Sequence, residues 1–260
     1  MIKFKQLTLD FTRLCNSHCK TCHIWKIKNP VTLELKYIEK LLSQIDKLES
    51  IYISGGEPYI NPIIYDIAKL VLKYHPKTIW LGATNNIDPK TPYAIKRIRD
   101  MGVQVGQVDL SYEGPNHDEW RGTPGNRDKV IRCAKLFKKW GIPYAFASIC
   151  GEGPDYVPET GDFVFRGEIR NGKRVNTKDD TESVYIKDCP GIKRIICCDP
   201  EGGIWPCEDY KPEIFLGNIK EVDLKDMPFE RVLEHIAKGK CSPCSMNCWS
   251  RRDNYGHRWE

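Results

Sequence analysis

From Leu7 to Ile149 the chain alternates short apolar runs with longer segments whose apolar residues recur at helical spacing. Leu33, Tyr37, Ile38, Leu41, Leu42, Ile45 and Leu48 mark one such segment and predict a helix over 33–48. Pro62 suits a first helical position and opens a helix reaching Tyr74. Thr91-Pro92 opens another that closes near Met101-Gly102, and Asn126 to Trp140 makes a fourth, stopped by Gly141. Strand-like runs separate them: Leu7–Phe11, Ile51–Ser54, Thr78–Ala83, Val103–Leu110 and Tyr144–Ile149. Strands and helices alternating at this rhythm imply a parallel sheet, with functional residues at the strands' C-terminal ends.

The first strand runs into Arg13-Leu14-Cys15-Asn16-Ser17-His18-Cys19-Lys20-Thr21-Cys22, where three cysteines are spaced C-x3-C-x2-C. Soft thiolates suit iron–sulfur clusters, and three on one loop can hold three irons of a [4Fe–4S] cube. The spacing supplies no fourth ligand, so one iron is left for a small molecule, as in a catalytic rather than an electron-carrying cluster. Two other readings stay open on the cysteines alone. One is a zinc site completed by His18 or His23; the other is a set of inert buried thiols. Downstream, Gly55-Gly56-Glu57-Pro58 closes a strand. Two glycines there let backbone approach a ligand, Glu57 offers charge and an acceptor to an ammonium, and Pro58 stiffens the exit.

Together these two motifs resemble the radical S-adenosylmethionine (SAM) family. The resemblance implies a partial (β/α)6 TIM-type barrel, a [4Fe–4S] cluster on Cys15, Cys19 and Cys22, and SAM on its open iron. It also implies that Gly55, Gly56, Glu57 and Pro58 meet the methionine ammonium. Thr84-Asn85-Asn86 falls where relatives often carry Thr-Asn-Gly near the SAM ribose. Ser111-Tyr112-Glu113-Gly114-Pro115-Asn116-His117-Asp118, followed by Arg121-Gly122, is similar to the family's Ser-x-Asp-Gly-Pro…His-Asp…Arg-Gly segment. Ser111 and Arg121 are then candidate partners of the SAM carboxylate or its surroundings; a turn or cap for Ser111 and a surface ion pair for Arg121 are the plainer alternatives. Asn86 and Glu113 depart from the family pattern.

The last third carries Cys189, then Gly202-Gly203-Ile204-Trp205-Pro206-Cys207, then Cys241-Ser242-Pro243-Cys244-Ser245-Met246-Asn247-Cys248. This layout resembles the auxiliary-cluster extension called a twitch domain, a shorter relative of SPASM. Residues Ile195–Cys198 and Ile204–Trp205 predict a hairpin over the turn-forming Asp199–Gly203. The resemblance implies one auxiliary [4Fe–4S] cluster on Cys189, Cys207, Cys241 and Cys244, with Cys248 competing for the last place. A structural zinc on Cys207, Cys241, Cys244 and Cys248 is the rival. Cys133, Cys150, Cys197 and Cys198 read as core thiols. The expected organisation is a barrel over 1–150, a bridge over 151–188 containing a hairpin-like stretch at Phe163–Val175, and a small α+β extension over 189–260.

Twelve cysteines in 260 residues, with no charged-then-apolar signal segment and no apolar run able to span a bilayer, suit reduced thiols in a cytoplasmic protein. A formal charge of +5 without a dense basic tract gives no indication of nucleic acid. The family's chemistry implies a one-electron reductant such as flavodoxin or ferredoxin and hydrogen abstraction from an unactivated carbon. A saturated auxiliary cluster favours net oxidation, as in the aminocyclitol dehydrogenase group that this layout resembles. Peptide modification or crosslinking is the alternative, and a non-catalytic Fe–S or zinc protein a more distant one. The first strand begins almost at Met1, leaving no room for a leader-binding domain, which tips the expectation toward a small polar substrate. Glu208, Asp209, Tyr210, Arg166 and Arg170 are candidate substrate contacts, and the sequence names no catalytic base.

Overall fold

The computed structural model describes residues 4–20, 22–148, 195–206, 214–231 and 234, and the backbone of 162–165, 168–170 and 173–175. Six strands alternate with helices: β1 Gln6–Asp10, α1 Leu35–Gln44, β2 Ser50–Ser54, α2 Ile64–Tyr74, β3 Ile79–Thr84, α3 Thr91–Asp100, β4 Gln104–Ser111, α4 His117–Arg121, α5 Asn126–Trp140, β5 Tyr144–Ser148 and β6 Asp162–Phe165. A short pair, β7 Glu168–Arg170 and β8 Lys173–Val175, precedes β9 Ile195–Cys198, β10 Gly203–Trp205 and β11 Gly217–Asn218. The main sheet runs β11-β10-β9-β1-β2-β3-β4-β5-β6. From β9 through β1 to β6 every neighbouring pair is parallel, while β9, β10 and β11 are joined antiparallel. This is the expected partial α/β barrel, with the C-terminal strands added beyond β1.

One face of each strand packs on the helices. Leu7, Leu9, Ile51, Ile53, Val108 and Leu110 are fully buried in one core with Ile38, Leu41, Ile67, Ile95, Val130 and Phe137. Each such side chain contributes roughly 1.5–3 kcal/mol on burial. Ile196, Ile204, Ile214, Leu216, Ile219 and Leu224 join that same core, so the described part of the C-terminal segment shares the barrel's interior packing. Lys40 and Gln44 of α1 bind it further: Lys40 Nζ donates to Ile219 O (2.9 Å) and Gln44 Oε1 accepts from Leu224 N–H (2.6 Å).

Two elements differ from expectation. The helix predicted over 33–48 covers only Leu35–Gln44. Ahead of it the backbone is committed to the cysteine loop, where Arg13 N–H donates to Val31 O and Leu33 N–H to Phe11 O. Leu33, Ile45 and Leu48 are buried without being helical, which is why the apolar spacing overran the helix. The hairpin expected across Phe163–Val175 is confined to β7 and β8; Phe163, Val164 and Phe165 instead belong to β6, paired in parallel with Phe146, Ala147 and Ser148. The 195–205 hairpin forms as expected, with Asp199 accepting from Gly203 N–H (2.7 Å) and the Trp205 indole (2.8 Å). Among the described residues no helix is long and apolar enough to cross a membrane.

Candidate functional site

The C-terminal ends of β1 to β5 surround a cavity of about 480 Å³. Its wall includes all of the residues expected in the barrel except one: Cys15, Cys19, Cys22, Gly55, Gly56, Pro58, Thr84, Asn85, Ser111 and Arg121. Glu57 is the exception. Cys189, Cys207, Cys241, Cys244 and Cys248 lie outside the described residues, as do Cys150, Arg166, Glu208, Asp209 and Tyr210; Arg170 is described only as backbone of β7. Cys133, Cys197 and Cys198 are buried, as expected of core thiols.

The cysteine loop is clamped from two sides. Beyond β2, Gly56 N–H donates to Thr12 O (2.7 Å) and Glu57 N–H to Leu14 O (2.8 Å). A Cβ at Gly55, whose φ is +128°, would lie 2.5 Å from Thr12 O, and one at Gly56 would lie 2.2 Å from Leu14 O. The close approach these glycines permit is therefore to the cysteine loop itself, while both still face the cavity. Beyond β4, His18 N–H donates to Arg121 O (3.2 Å) and Lys20 N–H to Trp120 O (2.9 Å). Gly122 ends α4 at φ +62°, and a Cβ there would sit 2.3 Å from His18 O. Asp118 ties this turn to α5, accepting from Gly125 N–H and Arg127 N–H.

Cys19 is the buried corner of the triplet. Ser17 Oγ lies 2.9 Å from its sulfur, Asn85 Nδ2 donates to it at 3.5 Å, and an Arg121 guanidinium nitrogen at 3.7 Å. Burial pushes the Cys15 thiol up to about 12 and raises Cys22 as well. Thiols in such surroundings ionise when a metal takes their protons' place. Among the described residues no three His, Cys, Asp or Glu side chains gather tightly enough for one metal ion. The three cysteines line one cavity, and a donor set of three soft sulfurs fits an iron–sulfur cluster.

Glu57 is buried beside the cavity and does not line it. Its Oε2 accepts from the Thr84 hydroxyl and from Asn85 N–H, both at 2.8 Å, while Oε1 finds no partner among the described residues. Burial pushes its carboxyl up to about 7, against hydrogen bonding from Thr84 and the backbone of Asn85, Tyr59 and Asn86. In this position Glu57 braces Thr84 and Asn85. Asn86 has φ +50°, the left-handed conformation that glycine adopts freely and asparagine tolerates best among the rest. The departure from Thr-Asn-Gly thus keeps the backbone. Glu113 is fully buried, paired with Arg121 and accepting from Ser148 Oγ (2.7 Å). Burial works against the Arg121 charge, and Glu113 with Cys19 more than restore it.

Tyr52, Ser54, Ala83, Asp109 and Ala147 also line the cavity and were not among the expected site residues. A signal existed. Along β2 the burial alternates, with Ile51 and Ile53 on the helix side and Tyr52 and Ser54 between them. Gln107, Asp109 and Ser111 alternate likewise with Val108 and Leu110, which marks a strand whose second face is polar and inside the barrel.

Comparison with known proteins places this geometry. The profile of the Radical SAM superfamily matches residues 9–164. An AdoMet-dependent heme synthase of Oleidesulfovibrio alaskensis is 27% identical over 146 residues, 52% of this chain and 35% of that protein. The chain therefore spans about a third of that relative's length. Among solved structures, native anSMEcpe with bound AdoMet and the Cp18Cys peptide superposes with a TM-score of 0.62 at 16% identity, covering 92% of this chain and 83% of that one. BtrN in complex with AdoMet and 2-DOIA gives 0.55 at 16% identity, covering 95% and 94%. At these identities the two structures speak for the fold.

Proposed function

Because the chain belongs to the radical SAM superfamily, we propose that Cys15, Cys19 and Cys22 hold a [4Fe–4S] cluster with SAM on its open iron, and that the protein oxidises a small polar substrate. When bound, cluster and SAM supply reductive cleavage to methionine and a 5′-deoxyadenosyl radical, which removes a hydrogen from an unactivated carbon. The observation that carries this reading is the gathering of the three cysteines with Gly55, Gly56, Thr84, Asn85, Ser111 and Arg121 around one cavity.

The chain's own residues orient and enclose. Gly55, Gly56 and Gly122 seat the cysteine loop, and Glu57 sets Thr84 and Asn85 from behind. Asn85 and Arg121 donate toward Cys19, and hydrogen bonds to cluster sulfurs are one lever on cluster potential. Gly55, Gly56, Glu57, Pro58, Thr84, Asn85, Ser111 and Arg121 are assigned to SAM or its surroundings. Barrel walls keep water and competing hydrogen donors from the reacting carbon. In this reading residues 1–150 make up the barrel, 151–188 the bridge and 189–260 the extension. Cys189, Cys207, Cys241 and Cys244 would then hold one auxiliary [4Fe–4S] cluster, which would supply an electron acceptor for net oxidation. A flavodoxin or ferredoxin supplies the first electron in the cytoplasm.

Iron and sulfide per chain after anaerobic reconstitution test the assignment. About eight irons falling to about four in Cys15→Ala/Cys19→Ala/Cys22→Ala support two clusters, and about four falling to none sink the auxiliary one. Peptide modification is the second reading, prompted by the peptide in the anSMEcpe structure, where BtrN holds 2-DOIA. Product connectivity separates them: both reactions leave a product two hydrogens lighter, but only crosslinking joins two groups by a new bond.

A further inference from the structure

The middle of the cysteine loop holds a buried hydroxyl that the chemistry above leaves unassigned. Ser17 is 1% exposed and stands between Cys15 and Cys19 on the cavity wall. It contacts both sulfurs. Its backbone N–H donates to Cys15 Sγ (3.4 Å), and its Oγ lies 2.9 Å from Cys19 Sγ. Asn85 Nδ2 and Arg121 Nη1 approach the same sulfur less closely, at 3.5 and 3.7 Å. Asn85 Nδ2 also donates to Ser17 Oγ (2.9 Å). A sulfur bound to iron has lost its proton and only accepts, and a hydroxyl that receives a bond from Asn85 keeps its own hydrogen to give. The Ser17 hydrogen is thereby directed at Cys19. Asn85 is itself fixed through its backbone: its N–H donates to Glu57 Oε2 (2.8 Å) and its carbonyl accepts from Asn126 Nδ2 (3.1 Å).

We propose that Ser17, oriented by Asn85, is a positioning residue that raises the potential of the cluster by donating a hydrogen bond to the Cys19 sulfur. The inference rests on the radical SAM reading and adds a residue that governs how readily the cluster takes its electron. Reduction adds one negative charge, shared by the sulfurs, so a donor to sulfur favours the reduced form. The two contacts of Ser17 are separable. Replacing its side chain removes the hydroxyl and leaves the backbone bond to Cys15 in place.

The test is a mediated dithionite titration of the reconstituted holoenzyme in the absence of SAM. EPR follows the reduced-cluster signal that Cys15→Ala/Cys19→Ala/Cys22→Ala lacks. Ser17→Ala should disfavour reduction about tenfold at unchanged iron content, a fall of about 59 mV for one electron. Asn85→Ala should lower the potential at least as far, since it removes its own bond to Cys19 along with the one that turns the hydroxyl. Ser17→Thr and Ser17→Val match in shape and differ in the hydroxyl, so they carry the test if Ser17→Ala does not load its cluster. Reduction should then be about tenfold more favourable in Ser17→Thr than in Ser17→Val. An unchanged or raised potential in Ser17→Ala overturns the proposal, as does equal potential in Ser17→Thr and Ser17→Val. So does a fall in Ser17→Ala that Asn85→Ala does not share, because the hydroxyl then takes its direction from elsewhere. Wild type separates the two levels. A wild-type signal whose potential the variants leave unmoved sinks the Ser17 role alone, and wild type with no iron and no signal sinks the family reading with it.

Discussion

The ends of β2 and β4 do the same mechanical work with opposite electrostatics. Each sets glycine against the cysteine loop, Gly55 and Gly56 on one side and Gly122 on the other, and each buries a glutamate behind it. Glu57 receives neutral donors, among them Thr84 and Asn85, and its carboxyl rises to about 7. Glu113 receives the Arg121 guanidinium, with the Ser148 hydroxyl on its other oxygen. A buried carboxylate must be neutralised by a proton or matched by a cation, and this site uses one solution on each flank. Only the β4 side thereby gains a fixed positive charge, which it directs at Cys19.

Breaking the cationic side should have the larger effect. Glu113→Ala leaves Arg121 buried without its counter-charge, an arrangement that costs about 3–5 kcal/mol in comparable pairs. Urea unfolding reads this directly. The double variant Glu113→Leu/Arg121→Met should recover most of the loss, since a buried pair replaced by apolar groups is often close to neutral. A double variant as unstable as the single would mean that Glu113 acts through Ser148 and the loop, not through charge. Next come the glycines: Gly56→Ala drives a methyl against the Leu14 carbonyl, which is backbone and cannot rotate away. We expect a loss of about 1–3 kcal/mol and reduced iron retention, with Gly122→Ala behaving alike. Iron retained by Gly122→Ala but not by Gly56→Ala would show that the β2 side alone seats the loop.

How much of this was legible beforehand depended on range. Strand and helix periods placed β1 to β5 and the helices between them, because Val130, Cys133, Ala134 and Phe137 bury one face of α5 in a pattern local to the chain. The Cys15–Cys22 loop and Gly55-Gly56 were legible as motifs, and the cavity brings them together. The bracing of Thr84 by Glu57 was not legible, since Thr84 is distant in sequence and supplied by the next strand. β6 was read as half of a hairpin because Val164 and Phe165 beside Asn171-Gly172 carry a hairpin signature, whereas their parallel partner is Ala147–Ser148. Tyr52 and Asp109 were legible through alternation, but pairing them required knowing that β2 and β4 flank β3.

The smallest effect, and the one that separates the two glutamates most cleanly, is a slope in pH. Glu57 holds a proton up to about 7 in the folded chain against an ordinary 4.5, because burial disfavours its charge. The folded state then binds the extra proton, so stability present below 4.5 is lost as pH rises through 7. His117 runs the other way. Burial, with Arg121 nearby, lowers it to about 4 from 6.5, and its Nδ1 accepts from Glu113 N–H, a bond that a protonated ring cannot keep. Stability from His117 is therefore present above 6.5 and lost as pH falls toward 4. Over 4.5–6.5 the two slopes oppose each other and the wild-type contribution from this pair is nearly flat. Glu57→Gln retains an oxygen for Thr84 and Asn85 and removes one arm. Its stability should climb by about 1–2 kcal/mol between pH 5 and 6.5, where the wild-type contribution stays nearly flat. Urea midpoints from pH 5 to 8 decide it. Parallel curves would place the Glu57 carboxyl in the ordinary range, and the β2 flank would then bury a charge that neutral donors hold.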